Sequence, residues 1–378
     1  MQALTLGMIG GGQLGRMSAI AAKQLGLHVI TLEPTAASPA GQVSDEQVVA
    51  HYDDRSALDR LAQRCDVVSY EFENVPADTV SYLQRSGCNV APAASLLAVT
   101  QSRIAEKTFA RDIGLQVTAF CPIETEADVA HAIQTVGLPA ILKTDRGGYD
   151  GKGQLRVTDA AAARQALERI AARPLIWERE VPFERELSVV CARAQDGTVA
   201  TYPVGENRHV DGVLDITIAP ARVDDATAER ARAAAARVAT ELGLVGVIGV
   251  ELFVTADGTL LVNELAPRPH NSGHYTIEAC VCSQFEQHVR AVCGMPLGST
   301  ALRAAAAMAN VLGAGEERRL LGLEALLALP DVHFHWYGKH GAKPGRKMGH
   351  ITAIAPDAEQ ALRSVTHARA QLRWEDQT

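Results

Sequence analysis

The run Leu4 to Ile9, apolar enough for a buried strand, leads straight into Gly10-Gly11-Gly12-Gln13-Leu14-Gly15. A helix then reads from Arg16 to about Leu25, and a second strand from Leu27 to Leu32. Strand, glycine turn, helix and strand in that order form a β-α-β unit, which demands a parallel sheet. Val67-Val68-Ser69-Tyr70 reads as a further strand. The first domain is therefore α/β, mostly parallel and doubly wound, and it closes near Pro92. Gly10, Gly12 and Gly15 also satisfy G-x-G-x-x-G, and Glu33 stands at the end of the next strand. This is the dinucleotide fingerprint in its proper setting. Taken alone it favours a nicotinamide-dependent dehydrogenase. The underlying physics is broader, because free N–H groups at a helix N-terminus attract any anion, including the phosphate of a substrate.

The remainder of the 378 residues exceeds what one core can hold. A helix is expected from about Ser95 to Ile113, and strands at Ala140–Thr144, Leu155–Val157 and Leu175–Val181. The stretch Glu186–Ala192 follows, then an Ala-rich helix near Ala226–Leu242 and strands at Val247–Thr255 and Thr259–Leu265. From about Thr300 a smaller unit contains His333–Tyr337 and a basic glycine loop, Gly338 to Gly349. The net charge of -8 argues against a general nucleic-acid binder, so phosphate-bearing ligands must be met by local basic sites. The seven cysteines form no CxxC pair; Cys280-Val281-Cys282 reads as part of an apolar helix. They are expected to be small buried thiols of a cytoplasmic protein. No apolar run is long enough for a membrane span, and the N-terminus has no signal pattern.

Chemistry concentrates in the paired strands around Asp257-Gly258. Asp-Gly between strand-like runs signals a hairpin, usually with a two-residue turn. In that register Ala256 faces Thr259 and Glu251 faces Glu264; a four-residue loop would leave the two glutamates diagonal on one face. Like charges so close destabilise a sheet, and a cation between them resolves the conflict. Magnesium, which takes a few carboxylates plus phosphate oxygens, suits this arrangement. Val250, Leu252 and Leu261 are assigned to the opposite, core face. Asn263 falls in phase with that apolar face, an awkward place for an amide.

Lys143 ends an apolar strand and precedes Asp145-Arg146-Gly147-Gly148-Tyr149-Asp150-Gly151-Lys152-Gly153-Gln154. Such a loop can close its backbone around phosphates while the lysines supply charge. It does not fit G-x-x-x-x-G-K-[ST], so it is no P-loop. Lys339, Lys343, Arg346 and Lys347 lie in the late basic loop without an acid between them. His270 and His274 form HxxxH without the glutamate or the helix of a zinc protease.

Strand lysine, glycine loop, Ile176-Trp177-Glu178, Glu186, Glu251 and Asn263-Glu264 occur in an order that resembles the ATP-grasp superfamily. Within it, Gly10 to Met17, Glu71 to Pro76, Gly147 to Gln154, Asn263 to His274 and Pro344 to His350 are similar to the N5-carboxyaminoimidazole ribonucleotide synthetase family. The resemblance covers about Ile9 to Ile351. It implies an α/β ATP-grasp architecture: a Rossmann-like pre-ATP-grasp domain over 1–98, an ATP-grasp domain over 99–299 with a small lid near 118–177, and a small mixed-sheet C-terminal domain over 300–378. It also implies an ATP-dependent ligase that carboxylates 5-aminoimidazole ribonucleotide (AIR) with bicarbonate through carboxyphosphate, in purine biosynthesis.

Carried over by motif, Arg103 and Lys143 would bind ATP phosphates, and Gly148, Tyr149, Asp150, Gly151, Lys152, Gly153 and Gln154 would form the phosphate loop. Glu178, Arg179, Glu180 and Val181 would hold adenine, Glu186 the ribose, and His209 would line the nucleotide site. Glu251 and Glu264 would hold Mg2+, with Asn263 beside them. Bicarbonate would sit near Arg268, His270, Asn271 and His274. Gln13, Leu14, Glu73, Tyr149, Asp150, Lys339, Arg346 and Lys347 would surround AIR, with Asp150 orienting or deprotonating its amine. The family implies a homodimer and a separate mutase acting on the product. One departure stands out: the family usually has Gln-Asp-Arg where this chain has Gln101-Ser102-Arg103. The formate-dependent glycinamide ribonucleotide transformylase, which shares the ATP machinery, is one rival, and the dehydrogenase, supported only by the front glycines, is another. A silent ATP-binding regulator is a further one, although it need not keep Asp150, Arg268 and His274.

Overall fold

The computed structural model describes residues 4–147, 153–170, 173–316 and 318–376. The N-terminal unit comprises β1 (Thr5–Ile9), α1 (Gln13–Gln24), β2 (His28–Leu32), β3 (Glu46–Val48), α2 (Arg55–Arg64), β4 (Val67–Tyr70) and α3 (Ala77–Arg85). Its sheet has the order β3-β2-β1-β4 and every pairing is parallel. Strands β1, β2 and β4 are covered on both faces and are accordingly rich in apolar residues, whereas the edge strand β3 is mostly polar. Ile9, Ile30, Leu58, Leu61, Tyr70 and Val80 form one covering layer. Leu6, Met8, Leu14 and Met17 form the other.

The helix expected between Ser95 and Ile113 is two helices, α4 (Ala94–Thr100) and α5 (Arg103–Asp112). Polar side chains cause the break. The Gln101 amide donates to the carbonyls of Glu73 and Val75, at 2.7 and 2.8 Å, and the Ser102 hydroxyl caps α5 by accepting from Ala105 N. Beyond this break lies a small antiparallel sheet, ordered β5-β8-β6-β7. It comprises β5 (Phe120–Ile123), α6 (Asp128–Thr135), β6 (Ala140–Thr144), β7 (Gln154–Val157), α7 (Ala160–Arg169) and β8 (Leu175–Arg179). Leu142, Val157 and Trp177 fill its core.

The large sheet runs β14-β13-β9-β11-β12-β15-β18-β17, with β10 (Val199–Thr201) paired to β9. Its first strands are β9 (Phe183–Arg193), β11 (Gly205–Val210), β12 (Val213–Ala219), β13 (Gly246–Thr255) and β14 (Leu260–Ala266). Helix α8 (Asp225–Glu241) packs Ala231, Ala235 and Val238 against Val189, Ile248 and Val250. A 3-10 turn (Asn271–Gly273), α9 (Thr276–Ala279) and α10 (Gln284–Val292) follow, and α10 packs on α1. The last elements are β15 (Ala305–Leu312), β16 (Arg318–Leu321), α11 (Leu323–Leu327), β17 (Val332–Trp336), β18 (Lys347–Ala355), α12 (Ala358–Ala370) and β19 (Arg373–Asp376). Three of these strands extend the large sheet through the β12–β15 pairing. Cys280-Val281-Cys282 is not helical: Cys280 bridges to Leu302, and both thiols are buried and free while Val281 is exposed. Among the described residues no helix is long and apolar enough to cross a membrane.

Candidate active site

The two central carboxylates meet through two deviations that cancel. The turn at Asp257-Gly258 is one residue longer than a two-residue hairpin. Thr255 N donates to Thr259 O, Gly258 N donates to Thr255 O, and Gly258 takes a φ of 78°. Continued unbroken, that register would set Glu251 opposite Asn263. A bulge beside Leu252 instead leaves Asn263 as the extra residue and brings Glu264 opposite Glu251. The longer turn reverses one assignment: Val262, paired with Leu252, enters the core, and Leu261 joins Phe253 on the carboxylate face. The bulge also accounts for the awkward amide, since Asn263 Nδ2 donates to Glu251 Oε2 at 3.3 Å.

Burial, with the charge of Glu264 added, pushes the Glu251 carboxyl up to about 7. Its other oxygen lies 3.4 Å from His270 Nε2. Glu264 is met by Arg103 at 3.5 Å. Arg103 opens α5, and one turn on the same helix face reaches beneath β14. Glu106 accepts from Leu265 N at 2.8 Å, and Lys107 Nζ donates to Asn263 O at 3.2 Å. Burial, then the charge of Glu264, raises the Glu106 carboxyl to about 8. Two opposed carboxylates, one held towards its neutral form, fit a hard divalent cation that draws its remaining ligands from phosphate. Among the described residues no set of three His, Cys, Asp or Glu converges on a metal.

His270 is positioned by a hydroxyl chain. Ser188 donates to Ser272 at 2.8 Å, and Ser272 Oγ lies 2.7 Å from His270 Nδ1. Nδ1 thus accepts, and the proton of the neutral ring sits on Nε2, towards Glu251. Burial and the Arg268 charge hold this imidazole near 3, so it is uncharged at neutral pH. Arg268 itself makes a bidentate pair with Glu73, with Nη2 donating to Oε1 at 2.9 Å and Nε to Oε2. Burial alone would raise the Glu73 carboxyl, but Arg268 holds it at about 2. The Asn271 amide is engaged with Asn310 in both directions, at 2.8 and 3.1 Å.

The front glycine turn has already been filled by the protein. Glu71 accepts from Gly12 N with one oxygen and from Gly15 N, at 2.7 Å, with the other. Glu33 accepts from Gly11 N at 2.9 Å and from the Tyr52 hydroxyl. A Cβ added at Gly12 would stand 2.4 Å from Glu71 Oε1. The donors that a dinucleotide pyrophosphate would need are spent on side-chain carboxylates, and the residue placed to meet a ribose is turned to the backbone.

The carboxylate pair, Arg103, Glu71, Glu73, Arg268, His270 and Asn271 line one cavity of about 840 Å³. Of the residues singled out by sequence, Gln13, Leu14, Glu73, Arg103, Lys143, Gln154, Glu186, His209, Glu251, Asn263, Glu264, Arg268, His270, Asn271, Lys339, Arg346 and Lys347 are on its wall. Glu186 and His209 are hydrogen-bonded to each other there. Glu178, Arg179, Glu180, Val181 and His274 are not among the lining residues. Glu178 faces inward to Lys143, at 2.8 Å, and Lys107, at 3.6 Å. Glu180 pairs with Arg156, and His274 is wholly buried behind the wall beside His350 and Phe285. Gly148, Tyr149, Asp150, Gly151 and Lys152 lie outside the described residues; Gly153 is described but is not on the wall. Beyond the residues given a role by motif, the wall adds Glu71, Phe72, Asn74, Phe253 and Lys343. Glu106 and Lys107 support it from behind, and their spacing from Arg103 on one helix face was the signal that could have revealed them.

Comparison with known proteins finds a matching family for three stretches of the chain. Residues 3–101 match the ribonucleotide synthetase preATP-grasp domain, 108–285 the ATP-grasp domain, and 306–364 the phosphoribosylaminoimidazole carboxylase C-terminal domain. The N5-carboxyaminoimidazole ribonucleotide synthase of Bacillus subtilis is 44% identical over 362 residues, 96% of this chain and 94% of the relative. A crystal structure of an ADP complex of N5-carboxyaminoimidazole ribonucleotide synthetase aligns with a TM-score of 0.90 at 42% identity, covering 98% of each chain. The Aspergillus clavatus enzyme in complex with ADP and 5-aminoimidazole ribonucleotide aligns with a TM-score of 0.90 at 33% identity, also over 98% of each chain.

Proposed function

The chain belongs to the N5-carboxyaminoimidazole ribonucleotide synthase family, and from that premise we propose how its own residues divide the work. It is an ATP-dependent ligase of purine biosynthesis that carboxylates AIR with bicarbonate, releasing ADP and phosphate. The observation that carries the residue assignments is the shared wall of the one cavity: the carboxylate pair, Arg103 and Lys143 share it with Arg268, His270 and the basic loop.

Arg103 and Lys143 bind the ATP phosphates, and the residues from Gly148 to Gln154 are assigned to the same phosphates. Glu186, held by His209, takes the ribose. The backbone from Glu178 to Val181 takes adenine, since the Glu178 side chain is committed to lysines. Glu251 and Glu264 would hold Mg2+, which when bound would offset charge on the ATP phosphates.

Arg268 and the Nε2–H of His270 orient bicarbonate. One bicarbonate oxygen attacks the γ-phosphorus, the bond from that phosphorus to the bridging oxygen breaks, and ADP leaves with carboxyphosphate in its place. The AIR amine then attacks the carboxyl carbon. The carbon–oxygen bond to phosphate breaks, phosphate departs with the former bicarbonate oxygen, and Asp150 receives the amine proton. Asn271 positions its neighbours through Asn310. Gln13, Leu14, Glu73 and Tyr149 contact AIR, and Lys339, Arg346 and Lys347 hold its phosphate. The chain works in the cytoplasm as a homodimer and passes its product to a separate mutase.

An ADP-release assay with components omitted tests this reading. Release should rise on adding AIR with bicarbonate. A response to formate with glycinamide ribonucleotide, and none to AIR, would transfer the chain to the transformylase reaction.

A further inference from the structure

Helix α5 and strand β6 bring Arg103 and Lys143 to the cavity from different layers of the molecule, so something must set the distance between them. Glu178 does part of this by meeting Lys143 on its own sheet and Lys107 on α5. A second tie lies at the other end of the same seam. Asp145 directly follows β6 and is 5% exposed. Its Oδ1 accepts from the Ser102 hydroxyl at 2.8 Å and from Ile104 N at 3.0 Å, while its carbonyl accepts from Arg103 N at 3.0 Å. One residue thus engages the backbone on either side of the Arg103 side chain and the cap of its helix. A buried carboxylate receiving two such bonds is a strong and directional constraint. Asp145 is not on the wall of this cavity and meets Arg103 only through the backbone, so its part in turnover must act through the placement of Arg103 and Lys143.

The same contact sets what residue 102 must supply. An aspartate there would set a second carboxylate against Asp145 at hydrogen-bond distance, with no donor between the two. Serine supplies that donor and still caps the helix. We propose that Asp145 and Ser102 act together as a positioning latch that fixes the separation of Arg103 and Lys143 for the ATP phosphates. The inference rests on the reading of those two cations as ATP ligands.

The test is steady-state kinetics on the full chain. Asp145→Ala and Ser102→Asp should each raise the KM for ATP about tenfold, as expected for loss of a buried charged hydrogen bond, with the KM for AIR unchanged. The exchanged variant, Ser102→Asp with Asp145→Ser, restores one carboxylate and one hydroxyl across the seam, and should return the KM for ATP to within about threefold of the parent. An unchanged KM for ATP in Asp145→Ala, a parallel rise for AIR, or an exchanged variant no better than the singles would overturn the latch. Arg103→Ala separates the two levels of the argument. A raised KM for ATP in Arg103→Ala alone sinks the latch and keeps the ATP role. An unchanged KM in both Arg103→Ala and Asp145→Ala sinks the latch together with that role.

Discussion

Glu251 faces Glu264 across the β13–β14 ladder because the bulge at Asn263 compensates for a turn one residue longer than the minimum. Burial first, and then the charge of Glu264, raises the Glu251 carboxyl. The unfolded chain ionises this group near its ordinary value and the folded chain near 7. Folding therefore takes up a proton between those values, and stability declines as pH rises through them. Glu251→Gln removes the repulsion. Without divalent cation it should be more stable than the parent at pH 8, by roughly 1–3 kcal/mol, and close to it at pH 5. Urea unfolding at the two pH values checks this. The same variant should lose at least about a hundredfold in ATP turnover.

The Glu73–Arg268 pair has the opposite sign. A carboxyl held at about 2 adds stability above its ordinary value, and that stability is lost as pH falls towards 2. Glu73→Gln leaves the Arg268 charge buried and unpaired, and should cost about 3 kcal/mol at pH 7. The deficit should shrink steadily below pH 4, a trend that denaturation midpoints across the acid range would report.

Occupation of the glycine turn by Glu71 predicts no measurable NAD binding by calorimetry, despite the fingerprint. Glu71→Gln keeps one acceptor for two donors and should lose about 1–2 kcal/mol of stability, still without gaining NAD affinity. Tight NAD binding by the parent chain would revive the dehydrogenase.

Lys339, Arg346 and Lys347 line the cavity, and they are assigned to the AIR phosphate. Alanine at Arg346 or Lys347 should raise the KM for AIR about tenfold or more while that for ATP stays within twofold. Equal rises for both substrates would remove the assignment.

Much of this was readable from residue order. The strands at Val67–Tyr70 and Ala140–Thr144 emerge as expected, because continuous apolar runs have few alternatives. Local polar chemistry was harder. Gln101 and Ser102 split a helix through side-chain bonds to backbone 26 or more residues away and to a cap, which periodicity does not reveal. The glutamate pairing was anticipated from a shorter turn than the real one, and Asn263, noted as awkward, was the trace of the compensating bulge. The glycine motif could not disclose that Glu71 fills it, since that contact spans 59 positions. Glu178 looked like a nucleotide ligand by its place in a motif, yet its burial between two lysines is a tertiary fact.

The most direct measurement follows oxygen from bicarbonate. With fully 18O-labelled bicarbonate, AIR and ATP, one labelled oxygen should appear in each inorganic phosphate released, because the carboxyl–phosphate bond is made through a bicarbonate oxygen and broken at carbon. Phosphate free of label, at full ADP release, would contradict phosphorylation of bicarbonate in this cavity and the account built on it.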